Sequence, residues 1–211
     1  MNTLIPVEFH QPVTSNEALE AVEAQGAVAI HNFLPNDLRL EALRELRQEA
    51  MYTDYLDESN GVRRNQNLSC FGFAHNKSWL TEMPVMNRPS KYVHDSAQII
   101  ADFINEADGV HRQPNEIIGH EYKTGQFLDA HRDYKRAIGF VAVATLDGMQ
   151  NFNVELDSGE TKQIYMKPGT VTIMRGYQGE AGKQRPLHSV EPARCRRLAF
   201  SLRQMSKLPM W

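Results

Sequence analysis

With 211 residues, the chain is long enough for one domain with a sizeable core and too short for two full ones. Its 41% hydrophobic and 23% charged residues match an ordinary soluble globular protein. A net charge of −3 argues against a broad basic surface for non-specific nucleic-acid binding, although a global sum leaves a local basic groove open.

The N-terminus, Met1 to Pro6, has neither a basic stretch nor a long apolar one, so it does not read as a signal peptide. Ser15 is the expected cap of a short helix through Leu19 and Val22, closed by Gly26. Ala27 to Ile30 reads as a buried strand. Asn36 or Asp37 starts a second helix, with Leu38, Leu40, Leu43 and Leu46 at helical spacing. From Met51 to Pro89 no period is clear, and this long irregular stretch, with Arg63, Arg64 and Trp79, is where a substrate lid is expected. Tyr92 to Asn105 reads as a third helix. After Pro114 the pattern changes to about eight short apolar runs between turn signals such as Asp147-Gly148, Asp157-Ser158-Gly159 and Pro168-Gly169. Helices first and strands later suit an α+β chain with a mainly β core: a barrel or jelly roll with N-terminal helices packed outside. A single domain is expected over 1–211, with a helical and irregular part over 1–113 and a β core over 114–205. The best apolar run, Phe140 to Leu146, is too short to span a membrane. Cys70 and Cys195 form no CxxC and read as free thiols in a reducing cytoplasm.

The chemistry concentrates in His131-Arg132-Asp133, His188 and the run from Arg197 to Arg203. On a strand, alternate residues share a face, so His131 and Asp133 point the same way. An imidazole and a carboxylate two residues apart fit neighbouring positions on a metal. A second imidazole from a distant strand completes the two-His-one-carboxylate arrangement of non-haem Fe(II) oxygenases. Alternation also puts Arg197, Ala199, Ser201 and Arg203 on one face. Two arginines facing inward from an apolar strand are costly without anions to pair with, and a dicarboxylate supplies two. The HRD triplet is also found in kinase catalytic loops, but Ile138 stands where that loop needs Asn, and no DFG or glycine-rich loop is present. His10, His31, His75, His94 and His111 show no ligand spacing and read as surface or packing residues, and Met149, Met166 and Met174 as core.

From Tyr122 through Gly125 to His131 and Asp133, then Lys167-Pro168-Gly169, His188 and the Arg197 strand, the chain resembles the Fe(II)/2-oxoglutarate-dependent dioxygenase superfamily. The match covers roughly Pro114 to Arg203. The resemblance implies a double-stranded β-helix (jelly roll). It also implies Fe(II) held by His131, Asp133 and His188, and a site that uses O2. Arg197, aided by Tyr122, would grip the distal carboxylate of 2-oxoglutarate, and Arg203 lies where AlkB-type enzymes place a second arginine. The branch stays open. Pro114-Asn115, Phe152-Asn153-Val154, Met174-Arg175-Gly176 and the paired arginines are similar to AlkB-type demethylases, from whose pattern Lys135 and Ala199 depart, whereas Gly125-Gln126-Phe127 and Asp133-Tyr134 resemble prolyl-hydroxylase-type enzymes. The expected activity is therefore C–H hydroxylation of a small-molecule or peptidyl substrate, with 2-oxoglutarate decarboxylated to succinate. Demethylation of alkylated nucleic-acid bases is the alternative. A non-enzymatic jelly-roll sensor or binding module that keeps the metal site is the rival of a different class.

Overall fold

The computed structural model describes residues 6–48, 53–57, 62–71, 85–86, 91–109, 114–179 and 182–206. Three helices are present among these: α1 (Ser15–Gln25), α2 (Asn36–Gln48) and α3 (Lys91–Asp108). The strands are β1 (Glu8–Phe9), β2 (Ala27–Ile30), β3 (Thr53–Asp57), β4 (Arg64–Phe71), β5 (Val85–Met86), β6 (Glu116–Tyr122), β7 (Phe127–His131), β8 (Ala137–Asp147), β9 (Gln150–Glu155), β10 (Thr161–Met166), β11 (Val171–Arg175), β12 (His188–Val190) and β13 (Arg197–Met205). The cap of α1 is Thr14, one residue before the expected Ser15. Its hydroxyl accepts from the Glu17 N–H while the Glu17 carboxylate accepts from the Thr14 N–H, so both orphan donors are satisfied.

The strands follow one path, β1-β2-β11-β8-β13-β6-β4-β7-β12-β9-β10. The path turns at β4, which pairs with β6 from Asn67 to Phe71 but with β7 only at Arg64 and Asn65. Strands β7, β12, β9 and β10 thereby fold back over the rest of the sheet. Alternation then sorts the apolar residues into two cores. Val28, Ile30, Ala142, Ala144, Ile173, Leu198 and Phe200 pack outward against Leu19, Val22, Leu43, Leu46 and Ile100 of the helices. Their neighbours Ala27, Ala29, Val141 and Met174 point inward, against Phe152, Val154, Ile164 and Val190 of the folded-back strands. This is the expected jelly roll with helices outside, and both faces of its larger sheet are buried.

Two expectations change. Part of the stretch from Met51 to Pro89 is regular: β4 is an inner strand, with β3 and β5 paired to it. Its sequence, Arg-Asn-Gln-Asn-Leu-Ser-Cys-Phe, hid this because its inward positions face a polar site instead of an apolar core. Arg63 and Arg64 of the expected lid stand at the start of β4, whereas its part with His75 and Trp79 lies outside the described residues, as does His111. Met149 is exposed at the β8–β9 turn, unlike the buried Met166 and Met174. That turn needs Gly148, whose φ of +72° suits a residue without Cβ. A Cβ there would sit 2.3 Å from the Arg196 carbonyl oxygen, so the glycine lets the turn lie against the start of β13.

Candidate metal and cofactor site

His131 ends β7 and His188 begins β12, and the antiparallel register sets them directly opposite each other. Their rings lie 4.3 Å apart between centroids. Asp133, two residues beyond β7, brings Oδ2 to 3.7 Å from His188 Nε2. One donor atom from each of the three residues falls within 4.8 Å of the others. The outer nitrogens are already committed. His131 Nδ1 lies 2.9 Å from the Asp129 carbonyl, and His188 Nδ1 lies 3.2 Å from that of Pro186. A carbonyl only accepts, so Nδ1 carries the proton in both rings and Nε2 presents its lone pair inward. This is the way ligand histidines are oriented in metal sites.

The electrostatics suit a cation. Burial and the neighbouring His188 push His131 down to about 4, and burial also lowers His188, so both imidazoles are neutral at pH 7. Burial alone would raise Asp133. The Arg203 guanidinium, with His188 and His131, outweighs it and holds the carboxyl at about 2. Two neutral imidazoles and an ionised carboxylate are the protonation states a divalent metal requires.

These shifts carry a pH prediction. Between pH 6.5 and about 4 the unfolded chain takes up protons that folded His131 refuses, and His120, lowered to about 3 by burial and by Arg203 and Arg197, acts the same way. More protons on the unfolded state means stability falls as pH falls. The metal-free protein should therefore show a urea midpoint at pH 5 clearly below that at pH 7.5. An unchanged midpoint would mean that these histidines are solvated in the folded state.

The inner faces of β6 and β13 meet as cross-strand pairs: Tyr122 opposite Arg197, His120 opposite Ala199, Ile118 opposite Ser201 and Glu116 opposite Arg203. The small Ala199 and Ser201 leave room for His120, whose Nε2 lies 2.8 Å from Ser201 Oγ. At one end, Arg197 is 1% exposed. It donates to Thr145 Oγ1 at 2.8 Å and lies 5.6 Å from the centre of the Tyr122 ring. No carboxylate among the described residues pairs with it, and its Nε–H has no acceptor. Burial pulls it down to about 10. Arg175 is equally buried, but it is paired with Asp157 and donates to the carbonyls of Val22, Glu23 and Gln184. Arg197 therefore stands out as a buried cation with no carboxylate partner among the described residues. It lines one cavity with Tyr122, Phe152, Met166 and both triad histidines. A planar guanidinium against a hydroxyl and an aromatic ring, opening on that cavity, fits one carboxylate of a small dicarboxylate.

Arg203, expected beside the cofactor, borders the same cavity, but its bonds run to the protein. Nε and Nη2 donate to Asp133 Oδ1 at 3.2 and 3.1 Å, and Nη1 donates to Glu116 Oε2 and Ser201 Oγ. It thereby turns Asp133 so that Oδ2 faces His188. Glu116 was missed in the sequence. Counting back by twos from Tyr122 along β6 reaches it and would have found it. A second cavity also borders His131, and with it Asp133, and is lined by Arg64, Gln66, Leu68, Glu116, Ile118 and Tyr134. Gln66 and Leu68 come from β4, the strand whose polar sequence concealed it.

Several features that resembled AlkB-type enzymes have structural work here. The Asn115 side chain bonds both ways to the Met205 backbone and closes the end of β6 on β13. Asn153 donates to Glu191, together with Asn151 and Gln163. Arg175 ties β11 to the C-terminal carbonyls of α1.

No protein-family model and no curated protein matches the chain. Solved structures do. A 2OG-Fe(II) oxygenase family protein from Burkholderia pseudomallei aligns over 93% of this chain and 93% of its own, at 13% identity and a TM-score of 0.70. A prolyl hydroxylase from Trichoplax adhaerens, solved with a hypoxia inducible factor peptide fragment, aligns over 90% and 88%, at 13% identity and a TM-score of 0.66. A prolyl-4-hydroxylase from Pseudomonas putida aligns over 92% and 100%, at 16% identity and a TM-score of 0.64. By its strand path, its two-layered core and these alignments, the chain has the double-stranded β-helix fold of the 2-oxoglutarate/Fe(II) oxygenases.

Proposed function

We propose that this protein is an Fe(II)- and 2-oxoglutarate-dependent dioxygenase that hydroxylates a C–H bond of a small-molecule or peptidyl substrate. The observation that carries the reading is Arg197, a buried guanidinium with no carboxylate partner among the described residues, opening on the same cavity as His131 and His188. A metal site alone would suit many chemistries. A metal site beside an unpaired buried cation calls for a co-substrate with a carboxylate at its far end.

Bound Fe(II) would supply the oxidising chemistry with O2 and 2-oxoglutarate. His131, Asp133 and His188 would hold it, and their carbonyl and Arg203 contacts keep each donor atom aimed inward. Arg197, Thr145 and Tyr122 would orient 2-oxoglutarate by its distal carboxylate. Phe152, Met166 and Val190 give that cavity apolar walls. The cavity lined by Gln66, Leu68, Glu116 and Ile118 would receive the substrate. Its floor offers polar groups close to His131 and Asp133, and Arg64 and Tyr134 stand at its edge. The likeness to a prolyl hydroxylase solved with a peptide supports a peptidyl substrate among the choices. Three basic residues in the second half of the chain have partners that weaken the case for a nucleic-acid groove. Arg196 pairs with Glu121, Lys183 donates to the Glu23 carbonyl, and Arg185 donates to the Asp133 carbonyl. No helix among the described residues is long and apolar enough to cross a membrane.

The test is succinate formation that depends on O2 and on 2-oxoglutarate, measured with Fe(II) over a panel of small amines, amino acids and peptides. Turnover is expected in wild type and absent from His131→Ala. Succinate at equal rates in both proteins, or in neither across the panel, would refute the enzyme reading. Formaldehyde release from methylated nucleotides, with no hydroxylated product, would move the substrate to nucleic acid.

A further inference from the structure

We propose a second metal site, formed by Glu8, His10 and His31 where β1 joins β2, that takes a divalent transition ion of the Zn(II) class. Neither histidine showed ligand spacing in the sequence; the parallel register brings both together near Glu8. Glu8 pairs with Ala29 and Phe9 with Ile30, so the next step along both strands sets His10 beside His31. The His31 N–H donates to the Phe9 carbonyl at 2.9 Å. The two imidazoles stack at 4.4 Å, 3° from parallel. A donor atom from each ring and one from the Glu8 carboxylate fall within 4.8 Å of one another.

His31 is the fixed member. It is buried, with Nδ1 3.0 Å from Thr170 Oγ1 and Nε2 3.0 Å from Glu8 Oε2. If Nδ1 donates to Thr170, then Nε2 and the carboxylate turn lone pairs toward each other, and either a proton or a bound metal ion must lie between them. Their 3.0 Å separation is close to the roughly 3.3 Å between neighbouring ligands on a tetrahedral zinc with bonds of about 2.0 Å. His10 is exposed and Glu8 half-buried, so the third ligand can swing in and a water can complete the shell. Two imidazoles and one carboxylate favour Zn(II), Ni(II) or Cu(II) over the oxygen-seeking Mg(II) and Ca(II). The ion would clamp a two-residue edge strand that otherwise hangs on few backbone bonds. This site shares no residue with the His131 triad, and β2 and β7 are separated by five strands along the sheet path.

The experiment uses the full chain, stripped with chelator and given Zn(II) alone. Bound zinc is counted by elemental analysis after gel filtration. Wild type should hold two equivalents, His131→Ala one, His10→Ala one, and the double variant none. In the His131→Ala background, Zn(II) at a hundredfold excess over Kd should raise Tm by about 5 °C, and adding His10→Ala should cancel the rise. Glu8→Gln should weaken the second equivalent about tenfold or more, and it serves in place of His10→Ala if that variant unfolds. A double variant that still binds as much zinc as His131→Ala overturns the site. So does a wild type that binds a single equivalent which His131→Ala removes; that outcome would leave the triad reading intact. If His10→Ala removes the only equivalent bound, the triad reading fails and this site stands.

Discussion

Arg197→Met should abolish turnover at ordinary 2-oxoglutarate concentrations while making the metal-free protein more stable. The two effects have one cause. Arg197 is 1% exposed, has no carboxylate partner among the described residues, and is pulled down to about 10 by burial. Folding therefore desolvates a charge with only a hydroxyl and an aromatic ring to offset it, and a methionine removes most of that cost. The gain should be about 1–3 kcal/mol in urea unfolding, in line with other replacements of buried charges by well-packed apolar side chains. With 2-oxoglutarate the sign reverses, because the buried anion loses its partner. Removing one member of such a pair costs about 2–5 kcal/mol, or a roughly 30- to several-thousand-fold weaker Kd for 2-oxoglutarate. Metal binding, titrated without 2-oxoglutarate, should be nearly unchanged. Equal loss of metal and 2-oxoglutarate would show that Arg197 supports the triad and does not grip the co-substrate.

Arg203→Leu should do the opposite and damage the fold itself. Arg203 bridges two buried carboxylates, Asp133 and Glu116. Without it, burial drives both upward, and Glu116, already raised by its burial, takes up a proton. Breaking a buried ion pair from one side typically costs about 3–5 kcal/mol. Asp133 is held at about 2, so its contribution is present above its ordinary 3.8 and is lost only as pH falls toward 2. In the variant, with both carboxyls raised by burial, the folded state binds protons more tightly than the unfolded chain, so the loss of stability should be larger at pH 8, where both are ionised without a partner, than at pH 5. Metal affinity should drop about 10–100-fold, as for other residues that orient a ligand, and should recover partly at higher pH as Asp133 ionises. Arg203→Lys should rescue little, since one ammonium cannot hold both carboxylates in the same geometry. A stable Arg203→Leu protein with normal metal binding would refute the bridge.

Both arginines were legible in the sequence at the same level: inward-facing positions of one strand, six residues apart. Alternation along the chain sets the face a side chain turns to, so Arg197, Arg203, Tyr122 and the pairing of His131 with Asp133 were readable from local spacing. The helices, the buried β2 and the turns at Gly26 and Gly148 were readable for the same reason. Alternation says nothing about what waits on the far side. That Arg203 meets two carboxylates and Arg197 meets none depends on β6 pairing with β13 and on Asp133 arriving from β7. Strand β4 escaped notice because it lines a polar site and lacks the apolar alternation by which strands are recognised. The cluster of Glu8, His10 and His31 escaped because its members come together through parallel pairing across twenty residues of intervening chain. The sequence by itself determined the chemistry available and the face on which each group stands. Only the tertiary structure decided which charges are compensated, because compensation depends on distances between strands that are far apart along the chain.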